Sequence, residues 1–183
     1  MSELASGFSK ADIINTFKHF HQHPELSFEE LETTKKIAEL LSADGIEILP
    51  LPLKTGLAAR IIGGKAGASV ALRCDIDALP VTEESGLDYS SKTSGKMHAC
   101  GHDFHTTTML YAAKLLQSRR ERLAGTVIIL FQAAEESSVG AFDVVKTGVL
   151  DDVSAIFGIH ADNTLPVGTV SVQAGSVTAA VDR

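Results

Sequence analysis

Three compact apolar runs constrain this chain more than any other feature: Ser69-Val-Ala-Leu-Arg-Cys74, Thr126-Val-Ile-Ile-Leu-Phe131 and Ala155-Ile-Phe-Gly-Ile159. Each is nearly continuous in apolar character rather than alternating, the pattern of a strand covered on both faces. Helical spacing surrounds them. Ile13, Ile14, Phe17 and Phe20 mark a first helix over residues 11–21, and Leu31, Ile37, Leu40 and Leu41 a second. Ser27 with Glu30 reads as a capping box for that second helix, and Gly45 as its stop. Met109, Ala112, Ala113 and Leu116 give one face of a helix starting near Phe104, and residues 142–147 a short one. Residues 46–51, 57–62 and 168–173 read as further strands, and residues 82–96 as a loop. Strands alternating with helices predict an α/β fold with a mainly parallel central sheet flanked by helices.

The length, 183 residues, suits one ordinary domain able to bury a core without staples. A net charge of -7 argues against general affinity for nucleic acid or anionic lipid. No apolar run approaches the roughly 20 residues of a membrane span, and the N-terminus lacks the pattern of a secretory leader. A cytoplasmic location is expected, where Cys74 and Cys100 stay thiols rather than pairing. A final apolar run, residues 177–181, is cut short at Arg183, which predicts a fragment.

Each apolar run ends in ionisable residues: Asp75 and Asp77, then Glu135 and Glu136, then His160. In open α/β sheets the ligand crevice lies beyond the carboxyl ends of the strands, so a shared parallel sheet would bring these tips together. Met97-His-Ala-Cys-Gly-His-Asp-Phe-His105 adds three imidazoles, a thiol and a carboxylate just before a helix, whose N-terminus favours a thiolate. Any one of these pairs alone is most often a helix cap or a solvated turn; together they predict a metal centre. Within it, one carboxylate of the Glu135–Glu136 pair can hold metal while its neighbour takes a proton from an activated water, the chemistry of hydrolysis. Competing motifs are weak. No Gly-x-Ser-x-Gly elbow occurs, the glycines at residues 63–67 read as a turn, His21 and His23 as surface or supporting groups, and His19 as a helix-face residue.

Taken in order, His21-Gln-His-Pro-Glu-Leu26, Arg73-Cys-Asp-Ile-Asp-Ala-Leu-Pro80, Met97-His-Ala-Cys-Gly-His-Asp103, Phe131-Gln-Ala-Ala-Glu-Glu136 and Gly158-Ile-His160 followed by Leu165-Pro-Val-Gly168 resemble the M20 metallopeptidases. The similarity is to the amidohydrolase branch, which includes hippurate hydrolases, N-acyl-amino-acid amidohydrolases and auxin-conjugate hydrolases. It implies two divalent ions, manganese or zinc, with cobalt or nickel as further options, held by Cys100, His102, Glu136 and His160 with the Cys bridging. It implies Glu135 as general base, Asp77 as a residue that orients a ligand, and His98, Asp103 and His105 in support. The implied reaction cleaves the amide of a small N-acyl amino acid to a carboxylic acid and a free amino acid.

Ala133 stands where the branch has Pro, and Phe104 where it has Gly, neither being a ligand position. The resemblance also implies a lid and dimerisation domain, through which the full-length protein forms a homodimer, and a last His ligand near the C-terminus. Neither is present by Arg183, so residues 1–183 correspond to the N-terminal part of the catalytic domain. Two other readings stand beside the amidohydrolase: a non-catalytic metal-binding or interaction fragment, and a dipeptidase of the same family.

Overall fold

A five-stranded open sheet in the order β1-β2-β4-β3-β5 organises the computed structural model, which describes residues 8–172 and 174–176. Along the chain these are α1 (Lys10–Gln22), α2 (Leu31–Ala43), β1 (Glu47–Ile48), β2 (Leu57–Ile62), β3 (Lys65–Asp75), α3 (His102–Ser118), β4 (Ala124–Gln132), α4 (Gly140–Lys146) and β5 (Val153–Gly158). A 3-10 turn at Arg120–Arg122 precedes β4. Among the described residues, no helix is long and apolar enough to cross a membrane.

The sheet is parallel where the three apolar runs lie and antiparallel at its other edge. β3 pairs in parallel with β4 (Asp75 opposite Gln132) and with β5 (Arg73 opposite Gly158), so three carboxyl ends finish side by side. β2 runs antiparallel to β4, and β1 to β2. Gly63 and Gly64 make this possible by turning the chain over the start of β4. Their N–H groups donate to Gly125 O at 2.8 Å and Arg120 O at 2.9 Å, and a Cβ on either would sit within 3 Å of backbone atoms there. The glycine-rich stretch is thus a turn at Gly63 and Gly64 only; Lys65 to Gly67, read as part of that turn from the sequence, already belong to β3.

β4 is covered on both faces. Val127, Ile129 and Phe131 join Phe20, Ile37, Leu41, Ile61, Cys74 and Leu110 in the main core beneath α1, α2 and α3. Ile128 and Leu130 face the other way, toward Ala58, Ala71 and Val144 of α4. Burying a Leu or Phe in such a core is worth about 1.5–3 kcal/mol, and this two-sided cover fixes where the strand tips point.

Several expectations need correction. Residues 155–159 do form a strand, but β5 is the sheet edge, with Ile156 and Phe157 exposed on its two faces. Residues 46–51 shrink to the two-residue β1, and residues 168–172 form no strand. The run at 177–181 lies outside the described residues. Ser27 is not the cap of α2, whose N-cap position is Glu30 without a side-chain cap bond. Glu25 serves instead, its carboxylate accepting from Glu32 N and Thr33 N at 3.2 and 2.8 Å. Ser27 and Glu30 are thereby released for work at the strand tips.

Candidate metal centre

His102 is the hub on which the strand tips converge. Gly101, at φ +84, turns the chain sharply enough that Cys100 lies just outside α3 while His102 is its first residue, fully buried. Such a φ is strained for any residue with a Cβ. The stretch before it is pinned to the end of β3 by paired backbone bonds between Leu79 and Met97, both 3.0 Å.

Asp77 sets the orientation of His102. Its Oδ1 lies 3.2 Å from His102 Nδ1, while Oδ2 accepts from Ser27 Oγ at 2.7 Å and from Glu136 N at 3.0 Å. With Nδ1 turned to Asp77, Nε2 faces the strand tips and makes no hydrogen bond although it is buried. Around it stand Glu136 Oε1 at 3.7 Å, Asp75 Oδ1 at 3.7 Å and Glu135 Oε2 at 4.0 Å.

Two donor triplets share His102. Cys100, His102 and His160 offer atoms within 4.8 Å of one another, and so do His102, Glu135 and Glu136. Cys100 Sγ lies 3.5 Å from His160 Nε2, whose ring donates from Nδ1 to Ala161 O at 2.8 Å. The five positions singled out from the sequence thus come together. Thiol, imidazole and carboxylate donors at this spacing fit a borderline divalent cation, and the buried, unbonded His102 Nε2 is the atom such an ion would satisfy. A third triplet, Asp75, His102 and His105, also lies within 4.8 Å.

The carboxylates shape the titration of the site. Burial and then the negative charge of Glu136, with Asp75 and Glu135, push the Cys100 thiol up to about 12. The expected helix-terminus preference for thiolate is therefore outweighed when no cation is bound. Burial alone would raise Asp75, but the His105 hydrogen bond and the charges of His102 and Arg73 hold it at about 2. Asp77 is also held low against its burial, by His102, Ser27 and the Glu136 N–H.

Glu135 and Glu136 differ in access. Their side chains are 41% and 21% exposed, so Glu135 is better placed to exchange protons with solvent. The preceding Ala134 adopts φ +55, held by Glu30, whose buried Oε1 accepts the Ala134 N–H at 2.8 Å. The sequence pointed to Glu30 only as the capping-box partner of Ser27; its bond to Ala134, 104 residues away, comes from the fold. Of the two expectations for His21, a surface group or a supporting one, its burial excludes the first: it lies 2.6 Å from Asp103 and 3.1 Å from Glu83. Its pKa is raised by the Asp103 hydrogen bond, against burial, with help from Glu83. His98 is buried with neither ring nitrogen hydrogen-bonded, and burial pulls its pKa down to about 4. Cys74 and Cys100 are both free thiols, Cys74 within the core.

Known proteins share this arrangement of sequence. Residues 71–182 match the model of peptidase family M20/M25/M40. The chain is 53% identical over 172 residues to an N-acetylcysteine deacetylase of Bacillus subtilis strain 168, covering 93% of this chain and 45% of that protein. It is 42% identical over 175 residues to an N-acyl-L-amino acid amidohydrolase of Geobacillus stearothermophilus, covering 95% of this chain and 47% of that one. The solved structure of the Bacillus subtilis YXEP protein, described as a dinuclear metal binding peptidase from the M20 family, superposes with a TM-score of 0.88 at 52% identity. That match covers 89% of this chain and 46% of the other. The chain thus spans about half the length of the curated relatives it matches. With its ordered motifs gathered at the ends of three parallel strands and that match running from β3 onward, the chain belongs to peptidase family M20/M25/M40.

Proposed function

We propose that residues 1–183 are the N-terminal part of the catalytic domain of a metal-dependent amidohydrolase, cleaving N-acyl amino acids to a carboxylic acid and a free amino acid. The observation that carries this reading is the pair of donor triplets sharing His102: Cys100 and His160 on one side, Glu135 and Glu136 on the other. Similarity to an N-acetylcysteine deacetylase and an N-acyl-L-amino acid amidohydrolase supports the substrate class, and similarity to a dinuclear metal binding peptidase supports two ions.

In this reading Cys100, His102, Glu136 and His160 would hold two divalent ions. Ions bound there would supply Lewis acidity, polarising the amide carbonyl and lowering the pKa of a water beside it. The protein's own groups do the rest. Asp77 fixes the His102 tautomer and seats the Glu136 backbone. Glu135, the more exposed carboxylate of its pair, takes the proton from the attacking water and returns it to the departing amine nitrogen. Water adds across the amide, so one acid and one amine leave. The full-length protein carries the lid and forms a homodimer.

Glu135→Gln in the full-length protein is expected to keep its metal and lose turnover of hippurate and N-acetyl amino acids by about 100- to 10,000-fold. Unchanged turnover in that variant, or undiminished metal in His102→Ala, overturns the assignment. Preference for aminoacyl over acyl substrates would move the reading to a dipeptidase.

A further inference from the structure

His105 is fully buried one turn into α3 and belongs to the third donor triplet, yet its two ring nitrogens are already engaged. Nε2 accepts the backbone N–H of Ala161 at 2.7 Å. A backbone N–H can only donate, so Nε2 presents its lone pair and the ring's proton sits on Nδ1. Nδ1 in turn lies 2.6 Å from Asp75 Oδ1, to which it donates. No lone pair remains for an ion.

These bonds form a strap across the strand tips. Arg73 donates from Nε to Gln132 Oε1 at 2.9 Å and from Nη1 to Asp75 Oδ2 at 2.8 Å. Asp75 accepts from His105, and His105 holds Ala161, so β4, β3, α3 and the segment after β5 are joined in series. The far end is where support is scarce: β5 is an exposed edge, and His160 itself is exposed. His160's own Nδ1 bond is to the adjoining Ala161 carbonyl, a local contact that does not anchor the segment to the body of the protein. The rings of His105 and His160 meet edge-on, 4.7 Å between centroids.

The geometry points to His105 as a positioning residue: a neutral, Nδ1-protonated imidazole that clamps the Ala161 N–H and thereby holds His160 Nε2 toward Cys100, without ligating metal. It rests on the reading of His160 and Cys100 as ligands. It assigns His105 to the ion that His160 would hold with Cys100, and predicts that an ion held by His102 and Glu136 would be little affected.

Two substitutions separate the ends of the strap. In His105→Gln, the side-chain oxygen reaches the position of Nε2 and still accepts from Ala161. In His105→Asn, the shorter amide keeps the Asp75 bond and loses Ala161. In the full-length protein loaded with cobalt, chelator competition and the thiolate-to-cobalt absorption band report the ion at Cys100 independently of turnover. His105→Gln is expected to stay within about threefold of the parent, and His105→Asn to bind one of two ions about 10- to 100-fold more weakly with a diminished thiolate band. Equal affinities in the two variants overturn the proposal. So does an Nε2-protonated ring, read in the unsubstituted protein by long-range imidazole nitrogen–proton correlation, a measurement that no misfolded variant can confound. Retention of both ions in Cys100→Ala and His160→Ala would instead defeat the metal reading beneath it, a distinguishable result.

Discussion

Cys100 sits where three carboxylates meet a half-buried thiol, and its proton is held there to about pH 12. A thiolate is the form that binds a divalent cation, so binding must expel that proton. The sign follows: below the thiol's raised pKa, each bound thiolate releases one proton, and affinity climbs with pH by about tenfold per unit for that group. Calorimetric titration of the full-length protein with zinc in buffers of different ionisation enthalpy is expected to show this release, reduced by about one proton in Cys100→Ser. A heat independent of buffer would contradict it. Cys100 and His102 were legible in the sequence because two donors either side of a glycine, before a helix, rarely serve packing. His105 stood in the same stretch as a supporting residue with no partner assigned, because its partners, Asp75 and Ala161, lie 30 and 56 residues away. Spacing within a motif cannot reveal a bond that the fold alone creates.

Strands β3 and β4 carry the site, and their joint depends on a glycine at the far end. Gly125 has φ +81, and a Cβ there would lie 1.9 Å from Ala68 O, beside the register shift between Lys65 and Ser69. Neither the φ nor the contact can be relieved without moving one strand along the other. Gly125→Ala is therefore expected to cost about 1–3 kcal/mol for the strained conformation, and more with the clash. It should appear as a lower urea midpoint with little change in slope; an unchanged midpoint would show that the bulge relaxes freely. At this scale the apolar runs at residues 69–74 and 126–131 marked their strands within a few residues, since continuous Val, Ile and Leu suit a pleat covered on both sides. The run at 155–159 also became a strand, but apolarity says nothing about a strand's place in the sheet, and β5 took the edge. The second helix formed as its spacing required, while its cap came from Glu25 because Ser27 and Glu30 were drawn to Asp77 and Ala134.

At the scale of the whole molecule, the described residues leave large apolar side chains uncovered along the β5 edge, whose carboxyl end leads to His160, and on α4. β5 has one neighbour, β3, and among the described residues its other edge is bare. Ile156 is 51% and Phe157 58% exposed, while Phe142 and Val145 of α4 are exposed at 64% and 61%. Large apolar side chains beside an unpaired strand edge favour pairing with another chain. The 183-residue polypeptide, which spans 45% of the length of the Bacillus subtilis deacetylase, is accordingly expected to self-associate. Sedimentation velocity at tens of micromolar should show species larger than the monomer. Phe157→Lys, which places a charge on the edge strand where it meets no core packing, should shift the distribution toward monomer while leaving the far-ultraviolet dichroism intact. Phe142→Lys on α4 probes whether the second apolar group acts with it: an effect as large as that of Phe157→Lys would extend the associating surface across both elements, and none would confine it to β5. A parent polypeptide that sediments as a monomer at these concentrations would show that the exposed edge is tolerated in water, and that twist and the short length of β5 suffice to keep it apart.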